Sequence, residues 1–346
     1  MTNGPAIWID LDNAPHAHFF APLIRDLNDQ GYSPLITVRS FGQTEGLADA
    51  YGMRFTTIGA HTAMHSKFAR VRATLRRAAQ LIEFGLARRP VAAVSHGSRA
   101  LAIASAFLGI PSMALYDYEH VSTDVFLHLC DRVLVPEIVR ASAVTDHRIG
   151  YPGFKEDVYI HDFAPNDQIL RQLALDPEKL IVTVRPPATW AHYQSDHSTT
   201  LFRALVDRLR AATDTQVVVL ARTSQQAEEL ARDFDLNPPP FHLTSKAVDG
   251  LSLLYYSDAV FSGGGTMVRE AALLGVAAYS TFAGTPGAVD LELERRALLT
   301  LLRSTDDIAN LCLHKRVRPE RPKQASPTRE FILKQIIQLA SKDRPS

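Results

Sequence analysis

Cysteine is scarce in this chain. Only Cys130 and Cys312 occur in 346 residues, and neither stands at a recognised metal-ligand spacing from another cysteine or a histidine. A disulfide framework and a cysteine-built zinc site are therefore not expected, and reduced thiols in a reducing compartment are. An excess of one charge is also missing: 37 Lys plus Arg balance 37 Asp plus Glu. No global field then draws the protein to nucleic acid, and any selectivity for anions must come from local clusters. No apolar run approaches the ~20 residues that span a bilayer. The start, MTNGPAIWID, lacks the basic segment and apolar stretch of a signal peptide. These absences predict a cytoplasmic protein with a small-molecule partner. What is present is the balance of a globular chain, 46% hydrophobic and 21% charged. Its length exceeds what one core usually fills, so two domains and a cleft are expected.

Short β-rich runs alternate with longer helical patterns. AIWID (6–10), HFFAPLIRDLNDQG (18–31) and SPLITVRS (33–40) predict a β-α-β unit. VAAVSHGSR (91–99), ALAIASAFLG (100–109), PSMALYDYEH (111–120) and RVLVPE (132–137) continue the rhythm, each apolar run short enough for a buried parallel strand. GYPGFKEDVYIHDFAPN (150–166) has Gly, Pro and Asn and no clean period, which places a domain boundary at 152/153. A second alternation follows in LIVTVRPP (180–187), STTLFRALVDRLRAAT (198–213), QVVVLART (216–223), DAVFSGGG (258–265) and TMVREAALLG (266–275). The prediction is α/β: a first doubly wound domain over 1–152, a second over 153–312, and a basic Pro-rich connector with a C-terminal helix over 313–346. That helix, TREFILKQIIQLASK (328–342), is amphipathic, has Thr328 as its expected cap and should pack back on the first domain.

The stretch AVFSGGGTMVREAALLGV (259–276) ends a strand, runs through three glycines and begins a helix at once. Free N–H groups and the positive end of the helix dipole suit a diphosphate there, with Thr266 adding a hydroxyl. Glu270, one turn inside, stands where the vicinal hydroxyls of a ribose would meet it. The competing reading is a tight turn with an ordinary exposed glutamate, and the pattern matches neither the Walker loop nor the dinucleotide fingerprint. Arg185 and Arg222 each follow a predicted strand of the same domain. In an open parallel sheet both guanidiniums then share an edge with Gly263, Gly264 and Gly265 and can pair with phosphate oxygens.

IDLDNAPHAHFFAPLI (9–24) gathers Asp10, Asp12, His16 and His18 after the first strand. Three chemistries compete. The side chains suit a metal, although their spacing matches no recognised site. Asp-x-Asp resembles the haloacid dehalogenase nucleophile motif, although Asn13-Ala14-Pro15-His16 follows where that motif has a Thr and an aliphatic residue. The third reading makes this turn a wall of the cleft, with His16 or His18 acting as a base or donating to a sugar or phosphate oxygen. His96, Asp117, Glu119 and His120 follow other strands of the same domain and join the candidates, since a carboxylate beside an imidazole is how proton-transfer groups are tuned.

WIDLDNAPHAHFF, SHGSR, YDYEH, YPGFKEDVY, RPPATWAHY and SGGGTMVREAALLG together resemble a family catalogued as domain of unknown function 354. More broadly the chain is similar to the GT-B superfamily, which includes nucleotide-sugar glycosyltransferases and non-hydrolysing UDP-N-acetylglucosamine 2-epimerases. The resemblance implies two Rossmann-like doubly wound domains facing a cleft. It also implies a nucleoside diphosphate sugar as co-substrate, foremost a UDP-sugar, with Gly263, Gly264, Gly265 and Thr266 on the diphosphate and Glu270 on the ribose. The sequence departs from the epimerases at two turns. His96-Gly97-Ser98 replaces their His-Gly-Asp, and Val184-Arg185-Pro186-Pro187 replaces their His-Arg-Arg-Glu-Asn, while Glu119 aligns with a retained acid. Against lipid-linked N-acetylglucosaminyltransferases, Asp10 to His16 stand in place of a glycine-rich turn.

The expected reaction is glycosyl transfer without a required metal or other cofactor. Asp12, His16 or Glu119 would deprotonate the acceptor, and the glycine loop with Arg185 and Arg222 would stabilise the departing diphosphate. Epimerisation or hydrolysis in the same pocket, a non-catalytic sugar-nucleotide-binding protein, and a phosphatase built on Asp10 and Asp12 remain as alternatives. HSKFARVRATLRRAAQLIEFGLARRP (65–90) is rich in Arg with Glu83 as its single acid, and Phe68, Val71, Leu75 and Ile82 recur at helical spacing. It reads either as a solvated basic face or as a surface for peripheral contact with a membrane or a lipid-linked, anionic acceptor.

Overall fold

A computed structural model describes residues 4–60, 66–120, 122–141, 148–187, 196–246, 248–320 and 324–341. The part of the RPPATWAHY motif from residue 188 to 193 lies outside the described residues. The chain divides into two compact units, residues 1–159 with 325–346, and residues 160–324.

The first unit is built on β1 (Ala6–Leu11), β2 (Ser33–Ser40), β3 (Phe55–Ala60), β4 (Ala92–His96), β5 (Ser112–Leu115), β6 (Arg132–Pro136) and β7 (Arg148–Tyr151). Their order is β3-β2-β1-β4-β5-β6-β7, and every pairing is parallel. Ile7, Trp8, Ile9 and Leu11 are fully buried along β1, the continuous apolar run that a parallel strand covered on both faces requires. Trp8, Leu81, Ala93, Leu101 and Ala104 form one of its core clusters, each large side chain contributing roughly 1.5–3 kcal/mol by leaving water.

The second unit repeats the plan with β8 (Leu180–Arg185), β9 (Thr215–Leu220), β10 (Phe241–Thr244), β11 (Ala259–Ser262), β12 (Ala277–Ser280) and β13 (Leu299–Leu301), ordered β10-β9-β8-β11-β12-β13 and again parallel. Val182, Val184, Phe202, Val217 and Phe261 hold its core. Strand order reverses between β1 and β4 in the first unit and between β8 and β11 in the second. Those reversals are the places where open α/β sheets leave a crevice at the carboxyl ends of their strands.

The division between units falls after Tyr159, beyond the 152/153 boundary drawn from composition, because the short helical turn Lys155–Val158 is anchored in the first unit. Phe154, Lys155, Glu156 and Val158 are all buried. The connector through residue 324 groups with the second unit, and only the helix Pro327–Ser341 returns to the first. Its cap is Ser326, whose Oγ accepts from the N–H of Arg329 at 3.1 Å. Thr328, expected in that role, instead donates its hydroxyl to the carbonyl of Pro152 at 2.6 Å. Among the described residues no helix is long and apolar enough to cross a membrane.

Candidate functional site

Two clusters occupy the two reversal points, and each is described within its own unit. In the first unit Asp10 is fully buried in register with Thr37 of β2 and Ser95 of β4. Its Oδ1 accepts from Thr37 Oγ1 at 2.7 Å and from Arg77 Nη2 at 2.8 Å, and its Oδ2 accepts from Ser98 Oγ at 2.6 Å and from Arg77 Nη1 at 2.8 Å. Trp8 Nε1 donates to Thr37 Oγ1 at 3.0 Å behind it. A carboxylate offers about four lone-pair sites, so the network saturates Asp10 and leaves it no oxygen for attack on phosphorus. Asp10 therefore does not fit the nucleophile of the phosphatase reading.

Arg77 comes from the basic helix Lys67–Arg88, and it is the exception on that helix because its side chain turns inward. Burial lowers its affinity for a proton, but Asp10 and Asp12 outweigh this and hold it above the ordinary range. Gly59 makes room for it: a Cβ there, at φ +77°, would meet Arg77 Cδ at 3.0 Å. Ser98 also accepts from the N–H of Leu101 at 3.2 Å and so caps the next helix.

Asp12, one residue past β1, accepts from Arg39 Nη1 at 3.2 Å and Arg77 Nη1 at 3.1 Å. Burial pushes its carboxyl above the usual carboxylate range, Asp10 adds to that, and the two arginines pull against it. The Asp12 N–H donates to His16 Nδ1 at 3.2 Å, which assigns the proton of the neutral ring to Nε2. Burial, with His96 and Lys155 nearby, holds His16 well below its ordinary value of 6.5. The His16 and His96 rings lie 5.1 Å apart. His96 Nε2 is 3.8 Å from Asp117 Oδ1, and Lys155 Nζ is 2.7 Å from Asp117 Oδ2 and 3.6 Å from Glu156 Oε1.

The structure thus brings His16, His96 and Asp117 together, and adds at Asp117 the ammonium of Lys155, which sequence reasoning missed. Its signal was a Lys-Glu pair inside an irregular stretch, and only burial separates it from an exposed lysine. Glu119 and His120 face each other at 3.7 Å. His18 turns to Tyr51, with Nδ1 2.6 Å from the hydroxyl, and stacks on Tyr159. Among the described residues no three His, Cys, Asp or Glu side chains are placed to hold a metal ion.

In the second unit Arg185 ends β8 opposite Ser262 of β11, the residue before the three glycines. Gly263 donates its N–H to the Arg185 carbonyl at 3.1 Å, and a Cβ on it would meet Pro187 Cα at 2.8 Å. Gly264 and Gly265 take φ +103° and +90°, which side chains rarely adopt, and Gly265 caps the helix Thr266–Leu273. Among the described residues the N–H groups of Gly264 and Gly265 have no acceptor. The anion-binding contribution expected of all three glycines therefore narrows to these two.

Arg185 Nη1 donates to the carbonyls of Leu220 at 3.0 Å and Ala221 at 3.4 Å, and Arg222 Nη1 donates to the carbonyl of Pro186. Gln226 braces the pair, accepting from the Arg222 N–H at 2.7 Å and donating to the Pro187 carbonyl at 2.9 Å. Among the described residues neither guanidinium meets a carboxylate. Burial, and then the charge of Arg222, brings Arg185 down to about 10, and burial alone lowers Arg222. Both remain cations at neutral pH. Arg269, inside the helix after the loop, is committed to Asp290 at 2.7 and 3.0 Å, while Glu270 beside it is buried.

The family model described as protein of unknown function (DUF354) matches residues 6–338. Over 291 residues the chain is 28% identical to an uncharacterized protein of Methanocaldococcus jannaschii, covering 80% of this chain and 81% of that one. Among solved structures, the UDP-GlcNAc 2-epimerase from Neisseria meningitidis bound to UDP-GlcNAc is similar with a TM-score of 0.74 at 12% identity, covering 96% of this chain and 100% of that one. A spinosyn rhamnosyltransferase complexed with spinosyn aglycone is similar with a TM-score of 0.58 at 13% identity, covering 97% and 95%. The fold is the two-domain α/β architecture of GT-B epimerases and glycosyltransferases.

Proposed function

The chain belongs to the DUF354 family, and from that premise we propose that it is a glycosyltransferase-like enzyme using a nucleoside diphosphate sugar, foremost a UDP-sugar. The observation that carries this reading is the pair of half-buried guanidiniums, Arg185 and Arg222, with carbonyl partners but no carboxylate among the described residues, beside a glycine turn with two open N–H groups. Two like charges partly removed from water are costly to hold together, and a bound diphosphate is the counterion that relieves both. In this reading Gly264, Gly265 and Thr266 take the diphosphate oxygens and Glu270 the ribose hydroxyls. UDP-GlcNAc bound to the meningococcal epimerase of the same fold supports the ligand class.

The acceptor hydroxyl oxygen forms the new bond to the anomeric carbon as the bond from that carbon to the diphosphate breaks, and the diphosphate leaves with the electron pair. Arg185, Arg222 and the loop N–H groups stabilise the charge that develops on it. The acceptor proton passes to a side-chain carboxylate. Asp12 is the foremost base, because its raised affinity for a proton improves it in that role, and Glu119 is the second candidate. His16, with Nδ1 accepting from the backbone, serves as a neutral donor through Nε2 rather than as a base.

Thermal unfolding against UDP, GDP, ADP and dTDP and their sugars tests the donor pocket. A ligand at ~100 times its dissociation constant stabilises the fold by about 2.7 kcal/mol. One nucleotide is expected to raise the midpoint in the parent and not in Glu270→Gln. No shift with any of them overturns the reading. Release of nucleoside diphosphate only when an acceptor is supplied identifies transfer, and an altered sugar stereocentre without acceptor identifies epimerisation instead.

A further inference from the structure

The helix Lys67–Arg88 does two jobs with opposite faces, and the proposed reaction uses neither the outer face nor its charges. Inward, Arg77, Ala78 and Leu81 are buried. Outward, Phe68, Val71, Leu75 and Leu86 are 80%, 56%, 53% and 61% exposed. With Ala79, also exposed, they fall at spacings of three, four or seven residues, which places them on one side of the helix. A helix that had only to cover the core would carry polar residues there.

Charge decides what this line meets. Arg70, Arg72 and Arg76 are exposed and, among the described residues, have no acidic partner. Arg88 and Arg89 are exposed at the far end, and Glu83 is the only acid of the helix. A second copy of the same face would bring arginines against arginines, whereas an anionic surface neutralises them. We propose that this face docks on an anionic lipid bilayer, with Phe68, Val71 and Leu75 entering the headgroup boundary and Arg72 and Arg76 beside the lipid phosphates. Apolar insertion plus basic flanks is the combination by which helices lie in a membrane interface. The helix Arg99–Leu108, whose Leu108 packs at Gly85, adds Phe107, 74% exposed.

The test is co-sedimentation of the full chain with vesicles of phosphatidylcholine alone and of phosphatidylcholine with phosphatidylglycerol, at low and high salt. Binding is expected only to the anionic vesicles and is expected to weaken with salt. Arg72→Gln with Arg76→Gln should weaken partitioning roughly 30-fold, taking the usual attraction per basic residue near such a surface. Phe68→Ser with Leu75→Ser should also lose it, with circular dichroism and the unfolding midpoint unchanged because these side chains contact little. Failure to bind either vesicle, or equal binding to both, overturns the proposal. So does a dimer in sedimentation velocity that the Phe68/Leu75 variant dissolves. Nucleotide binding is read separately, so failure here leaves the proposed reaction standing.

Discussion

The reversal points of the two sheets are built alike and charged differently. Between β1 and β4 the carboxylate of Asp10 meets Arg77, Thr37 and Ser98 and is satisfied from within. At the carboxyl ends of β8 and β9 the guanidiniums of Arg185 and Arg222 meet only carbonyls among the described residues. At Asp10 the first crevice has spent its charge on the fold, while the second holds two guanidiniums that no described carboxylate neutralises, the charge that the proposed diphosphate would meet. Strand-end charge by itself therefore does not mark a binding site. What supports a site in the second unit is the lack of a carboxylate counterion among the described residues.

The largest effect that would break this comparison is at Arg77. Arg77→Met leaves Asp10 buried without its cation, and denaturant unfolding should show a loss of about 3–5 kcal/mol. Arg185→Gln, at the corresponding place in the other sheet, should change stability by within about 1 kcal/mol yet weaken nucleotide binding roughly tenfold or more, since a hydrogen bond to a charged group contributes about 1.5–3 kcal/mol. If both substitutions destabilised equally, the contrast would fail.

Gly264→Ala lies between these extremes. A Cβ there sits 2.9 Å from Phe282 Cδ2 on a backbone at φ +103°, so a stability loss of about 1–3 kcal/mol and loss of nucleotide binding are expected together. The smallest effect concerns pH in the first unit. His16 is held below 6.5 in the fold, so as pH falls through that value the unfolded chain takes up a proton that the folded chain does not. Stability from this group is complete above about 6.5 and declines as pH drops towards the lower folded value. His16→Asn should flatten that decline in urea titrations at successive pH values.

The difference between the crevices was only half legible in the sequence. Arg185 and Arg222 could be placed because each directly follows a strongly apolar strand, and parallel pairing then carries both to one edge. The three glycines could be placed for the same reason. Asp10 could not be recognised as spent, because its partner Arg77 is far away in sequence on a helix whose other arginines face solvent. Reading Arg77 as part of a solvated face followed its neighbours in the chain, whereas its burial is decided by its alignment with Ala78 and Leu81. Short strands such as β7, β10 and β13, with three or four residues each, carry too little pattern to stand out from loops. Lys155 was hidden for a related reason, since an irregular turn has no periodicity to show which side chains point inward.

Calorimetric titration of UDP into the parent and into an Arg185→Gln/Arg222→Gln double variant tests the proposed role of the two guanidiniums most directly. The account predicts that the parent binds with an affinity that falls as salt rises, and that the double variant keeps its unfolding midpoint but loses binding. Equal affinity in the two proteins would contradict it.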